Sequence, residues 1–162
     1  MRIQKRRRRE AKTDYSKRIK LLKSERPRVI FRKTNKYILS QYIKSKAAQD
    51  SIIFEVTSKE LLRTGWPKEM SGSLKSLPAS YLTGFLVSKK IIKEKMEEPI
   101  VDWGMLRTIN KTRAYAFLKG LIDGGLKISC KEEAFPEEDR IKGKFLKEDF
   151  SKKFEEIKLK IK

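Results

Sequence analysis

The chain has 162 residues, 38% hydrophobic and 38% charged, so one modest core with charged extensions fits it better than a wholly disordered chain. Its formal net charge of +20 is concentrated near the start: residues 1–50 carry 18 Lys/Arg against 4 Asp/Glu, while residues 131–162 carry 10 against 9. A single cysteine, Cys130, excludes an internal disulfide framework, the lack of histidine removes the usual general base and metal ligand, and no apolar run reaches the roughly 18 residues needed to cross a bilayer.

The N-terminus is basic with no apolar segment behind it, unlike a secretory signal, and the cytoplasm is the simplest compartment. "KRRRREAKTDY" (5–15) places five consecutive cations before a Thr-Asp-Tyr turn. The spacing of Tyr15, Ile19 and Leu22 predicts a short helix from about Ser16 to Ser24, capped by Asp14 or Thr13. Pro27 opens the β-rich "RVIFR"; "KTNK" follows as a polar turn in which Asn35 tolerates a left-handed backbone, and "YILSQYI" completes an antiparallel hairpin. "SIIFEVT" (51–57) is a third strand of the same meander.

Residues 58–76 combine a short "SKELLR" turn with a loop holding Gly65, Pro67 and Gly72. A long helix is expected over 77–96, with Leu82, Phe85, Leu86 and Ile92 on one side. "EPIVDWG" (98–104) reads as a short buried strand. Ala114, Phe117, Leu118, Leu121 and Ile122 then mark an amphipathic helix stopped by Gly124-Gly125. An acidic loop around Pro136 leads to a terminal helix with the stripe Leu146, Phe150, Phe154, Ile157 and Ile161, expected to fold back on the core rather than dock elsewhere. The fold class is therefore α/β: a mixed sheet with an antiparallel three-strand start, helices packed on it, a basic N-terminal arm and a C-terminal helix. The division expected is 1–26 for the arm, 27–130 for the α/β core and 131–162 for the C-terminal loop and helix.

Support for catalysis is thin. Asp102 at a strand end and Asp123 at a helix end are the best candidates for a Mg²⁺ site of a nuclease, yet a two-metal site usually needs three or four acids and few are available here. "GLIDGG" closes a helix instead of joining a strand to one, so it cradles no phosphate, and Cys130 lacks a histidine partner. No cofactor or small-molecule substrate is implied.

The positive block points instead to a polyanion, with nucleic acid the leading class. Lys5, Arg6, Arg7, Arg8, Arg9, Lys12, Lys17 and Arg18 are candidate phosphate contacts, each adding about one unit to the salt dependence of binding. Thr13 and Tyr15 would fix the turn of the arm. Arg28, Arg32, Lys33, Asn35 and Lys36 form a second candidate patch at the hairpin, with Gln41 beside them and Trp66 as a stacking group. Composition leaves open an RNA chaperone or Mg²⁺-dependent nuclease on an α/β sheet, or a DNA-binding, chromatin-like protein.

Sequence order narrows the choice. "RRRREAKTDYSKRIKLLKSERPRVIFRKTNKYILSQYI", "LPASYLTGFL", "AFLKGLIDGGLKI" and "FPEEDRIKGK" occur in an order that resembles the archaeal and eukaryotic form of the 5S rRNA-binding large-subunit ribosomal protein, number eighteen in the universal scheme. The likeness spans about residues 5–145. It implies a non-enzymatic protein that holds 5S rRNA and joins it to large-subunit rRNA in the central protuberance, beside neighbouring ribosomal proteins. The chain departs from the family pattern at Ala11 and Ser88, where Gly is frequent or expected, and at Ile91, where Ala is expected.

Overall fold

The computed structural model describes residues 3–146 and 150–162; the expectations that touch 1–2 and 147–149 lie outside the described residues. Two short helices form the arm, α1 (Arg6–Arg9) and α2 (Tyr15–Leu22). Three strands follow, β1 (Arg28–Lys33), β2 (Ile38–Lys46) and β3 (Gln49–Thr57), then a short helix α3 (Leu61–Thr64) and the long α4 (Leu77–Lys93). β4 (Ile100–Asp102), α5 (Arg113–Asp123), α6 (Glu138–Lys142) and α7 (Ser151–Ile161) complete the chain.

The sheet order is β3-β2-β1-β4, antiparallel across the meander and parallel between β1 and β4. A mixed α/β sheet was expected, and this is one. Its turns are less conventional. Thr34, not Asn35, organises the β1–β2 loop: its Oγ1 accepts from the Tyr37 amide at 3.0 Å, and Asn35 has no positive φ. Ala47 and Ala48 make the β2–β3 turn at φ 51° and 64°, a left-handed pair usually given to Asn-Gly. Between Tyr42 and Ile43 the register with β3 shifts by one residue, leaving Ile53 as the bulge.

One face of the sheet carries Val29, Phe31, Tyr42 and Val56 into a core shared with Val87 of α4 and with Phe117 and Leu121 of α5. A second cluster lies on the far side of α4, where Leu82 meets Leu61, Trp66, Phe150, Phe154 and Ile157. Because both sides of α4 are covered, it lacks one clean apolar stripe: Ile91 is 1% exposed, whereas Ile92, expected to face inward, is 46% exposed. The helix also ends earlier than expected, with Lys95 left-handed at φ 49° and the Met96 amide bonding back to Ile91 O. α4 and α5 touch through glycines: a Cβ on Gly84 would strike Phe117 O, and one on Gly120 would strike Tyr81 O. Ser88 sits under Gly124 with its hydroxyl donating to Phe85 O, so the unexpected serine is accommodated by a glycine opposite.

The stretch expected as an acidic loop contains α6, which stops at Gly143 with φ 80°. α7 folds back as expected, burying Phe154 and Ile157 against α3 and α4.

Candidate nucleic-acid interface

The second face of the sheet looks away from the core and carries Ile30, Arg32, Gln41, Ile43 and Ile52. The arm lies across it, and a groove of about 320 Å³ separates the two. The arm's shape follows from its local chemistry. Four arginines give α1 no apolar side to bury, and it ends in a turn in which Ala11 is left-handed at φ 52°. The Lys12 amide bonds to Arg7 O at 2.9 Å and the Ala11 amide to Arg8 O at 3.1 Å, closing the α1 carbonyls in the pattern usual for a glycine stop. The bend therefore forms at Ala11, where the resemblance led to an expectation of Gly. Asp14 then caps α2 by accepting from the Lys17 amide at 3.2 Å, as anticipated. That backbone bond, opposed by some desolvation and helped by Arg8, holds the Asp14 carboxyl below the ordinary aspartate range.

Charge pins the root of the arm. Arg18 reaches Asp50 at 2.9 Å and Ala48 O at 3.3 Å, and Lys17 reaches Gly104 O at 3.5 Å. Asp50 is also bound by Arg28 at 2.7 Å and by the Ser45 hydroxyl at 2.8 Å. Burial alone would raise the Asp50 carboxyl, but the bonds from Arg18 and Ser45 and the two guanidinium charges outweigh it and leave it lowered.

Toward the tip the cations are exposed and lightly held. Glu10 pairs with Arg6 at 3.7 Å and Lys12 at 2.9 Å, yet those two side chains remain 78% and 61% exposed. Pairs of that kind contribute at most about 1 kcal/mol and yield readily to phosphate. Arg7 donates to Thr13 Oγ1 at 3.0 Å, Arg8 contacts Asp14 at 3.3 Å, and Lys5 lies 4.7 Å from the centre of the Tyr15 ring. Among the described residues Arg9 forms no ion pair.

Two sequence-derived candidates need correction. Arg28 is 1% exposed, clamped by Asp102 at 2.9 Å and Asp50 at 2.7 Å, so it is an internal counter-charge and presents nothing to a ligand. Trp66 is 2% exposed, its ring tilted against Phe150 with centroids 4.7 Å apart and its indole N–H on Met70 O, so no base can reach its face. Both errors arise from long-range partners, Asp102 for one and α7 for the other.

The remaining hairpin residues divide between surfaces. Arg32 lies over Gly104 and donates to Phe31 O at 3.0 Å; burial lowers its proton affinity while Asp102 opposes the shift. Gln41 is half-buried on the outer face and holds Glu55 at 2.7 Å across the strands. Lys33, Asn35 and Lys36 are exposed, with Asn35 O accepting from Lys75 at 2.7 Å. Sequence reasoning missed Asp50 as the anchor of the arm; its position just after a tight turn, opposite basic Arg18, left no local signal.

The two acids considered for a metal site have separate engagements. Asp102 binds Arg28 through Oδ2 and the Gly104 amide through Oδ1 at 2.7 Å. Asp123 accepts from the Tyr81 hydroxyl at 2.6 Å, which in turn accepts from Lys158 at 2.7 Å. No group of three or more Asp, Glu or Cys among the described residues is placed to hold a metal ion.

Residues 1–99 match the family model described as ribosomal large subunit proteins 60S L5 and 50S L18. The large ribosomal subunit protein uL18 of Korarchaeum cryptofilum is 46% identical over 151 residues, covering 93% of this chain and 75% of the relative. The proteins of the same name from Thermofilum pendens and Methanoregula boonei are 39% and 38% identical, covering 90% and 87% of this chain and 72% and 79% of theirs.

Proposed function

The chain belongs to the family of large-subunit ribosomal proteins 60S L5 and 50S L18, in its archaeal form, and on that premise we propose that its arm and outer sheet face bind 5S rRNA. It is a structural component of the cytoplasmic large ribosomal subunit, with rRNA and ribosomal proteins as its partners. In the finer reading it joins 5S rRNA to the large-subunit rRNA in the central protuberance and carries out no reaction.

The observation that carries this reading is the separation of roles within the arm. Its root is tied to the sheet by Arg18–Asp50 and Lys17–Gly104, while Arg6, Arg9 and Lys12 at its tip stay exposed and weakly held. A fixed root with exposed, loosely held cations presents a pre-formed positive edge, which lowers the ordering cost when phosphates bind. Arg7, Arg8 and Lys5 belong to the same edge, Thr13 and Tyr15 hold its bend, and Arg32, Gln41, Asn35 and Lys36 extend it along the hairpin.

A competition assay tests the assignment. The full chain is bound to labelled 5S rRNA at moderate salt and challenged with unlabelled 5S rRNA, tRNA and duplex DNA, and the labelled RNA is examined for Mg²⁺-dependent cleavage. Preferential displacement by 5S rRNA with the label intact is expected. Equal displacement by duplex DNA would favour a chromatin-like binder, and cleavage abolished by Asp102→Asn would favour a nuclease.

A further inference from the structure

A second groove, of about 690 Å³, opens at the end of the molecule where α4 and α5 begin, lined by the loop between β4 and α5. Its floor and lip are apolar: Leu77 and Leu106 line it, and Met105 and Ile109 stand 38% and 60% exposed. Its charge is of one sign. Lys33, Arg107, Lys111, Arg113 and Arg140 line the groove and no Asp or Glu does. Of these five only Lys111 has a carboxylate partner among the described residues, Glu137 at 3.5 Å across exposed surface.

The contrast with the cavity between α4 and α7 is informative. There Lys119, Lys142, Lys158 and Lys162 share the lining with Asp123, Glu138 and Glu155, and ion pairs join Lys119 to Glu138 and Lys142 to Glu155. In the second groove the protein leaves its cations for something else. An apolar floor beneath uncompensated cations suits a ligand with a flat apolar body and an anionic edge. An unstacked nucleotide has both: its base can lie on Met105, Leu106 and Ile109, or against an arginine plane, while phosphates meet Arg107 and Arg140.

We propose that this groove receives an unpaired nucleotide of ribosomal RNA, as a contact separate from the arm. The inference rests on the RNA-binding reading above and names a further site for it. Continuity favours RNA over an acidic peptide as the occupant. Arg8 of the arm lies 3.4 Å from Met105 Sδ at the lip, and Lys33 of the hairpin also lines the groove, so an RNA strand bound along the arm is within reach of it.

The double variant Arg107→Gln/Arg140→Gln removes two exposed cations that have no ion pair among the described residues, so the fold is kept. With the full chain and a 5S rRNA transcript, affinity should fall about tenfold and the salt dependence should become shallower by about 1.4 units. A photo-crosslinking amino acid at position 109, in chains assembled into large subunits, should give an adduct to a single-stranded rRNA nucleotide. Absence of an RNA adduct, or an adduct to an acidic ribosomal protein, overturns the proposal. An unchanged salt dependence beside a clear loss for arm variants, with no rRNA adduct at position 109, overturns the groove alone and leaves the arm reading standing. An adduct to rRNA other than 5S, with no 5S preference in solution, supports the groove and removes the 5S assignment.

Discussion

Arg28 shows how the same residue type can serve opposite ends within one positive surface. Its guanidinium is buried between Asp102 and Asp50, and removing it leaves two carboxylates facing each other without their shared counter-charge. Arg28→Gln should therefore lower unfolding free energy by about 3–5 kcal/mol in denaturant titration, while leaving the salt dependence of RNA binding unchanged in the folded protein. An exposed phosphate contact would behave the other way, shifting salt dependence with little effect on stability. Ala11 makes a subtler case. It adopts a backbone conformation that costs an L-residue roughly 1–2 kcal/mol relative to glycine. Ala11→Gly should relieve part of this, offset by the greater freedom of the unfolded glycine, and slow amide exchange at Lys12 by up to about threefold. Faster exchange would mean that the turn does not depend on the strain at that position.

Among the elements, arm docking should depend on acid. The Asp14 and Asp50 carboxyls both lie below the ordinary aspartate range in the folded chain. A depressed folded value means the stabilisation is fully present above the unfolded carboxylate range and fades as pH falls through the folded values. At neutral pH the arm should be docked. Acidification into the range below about 4 should loosen it before the core unfolds, seen as a loss of protection at the Lys17 amide, relative to the free-peptide exchange rate at the same pH, ahead of any change in tryptophan fluorescence. Simultaneous changes would contradict separate docking. The α4–α5 contact makes the opposite demand: Gly120→Ala places a methyl group against Tyr81 O, where backbone cannot yield cheaply, and should destabilise by about 1–3 kcal/mol or more in thermal unfolding.

These elements also show what local sequence can and cannot reveal. Strand alternation, the Asp14 cap and the Gly124-Gly125 stop are short-range signals, and each corresponds to structure. The Ala47-Ala48 turn and the exposure of Ile92 are set by tertiary context. One follows from the pairing of β2 with β3, the other from the covering of both sides of α4, neither of which is written in the residues themselves. At the site, the arm cations were legible from charge density. The roles of Arg28, Trp66 and Asp50 were not, because their partners lie 20 to 80 or more residues away.

For the whole molecule, the +20 charge is sorted by where it is compensated. The root of the arm and the α6–α7 region hold their cations on nearby carboxylates, while the tip of the arm and the second groove keep most of theirs exposed and at most loosely paired. The central claim, that the tip of the arm is a phosphate-binding edge for 5S rRNA, is tested most directly by the salt dependence of binding. The native chain and the variant Arg6→Gln/Arg9→Gln/Lys12→Gln are titrated with 5S rRNA over a series of salt concentrations. The variant should bind more weakly, with a slope shallower by about 2–3 units. Equal affinities and equal slopes would contradict it.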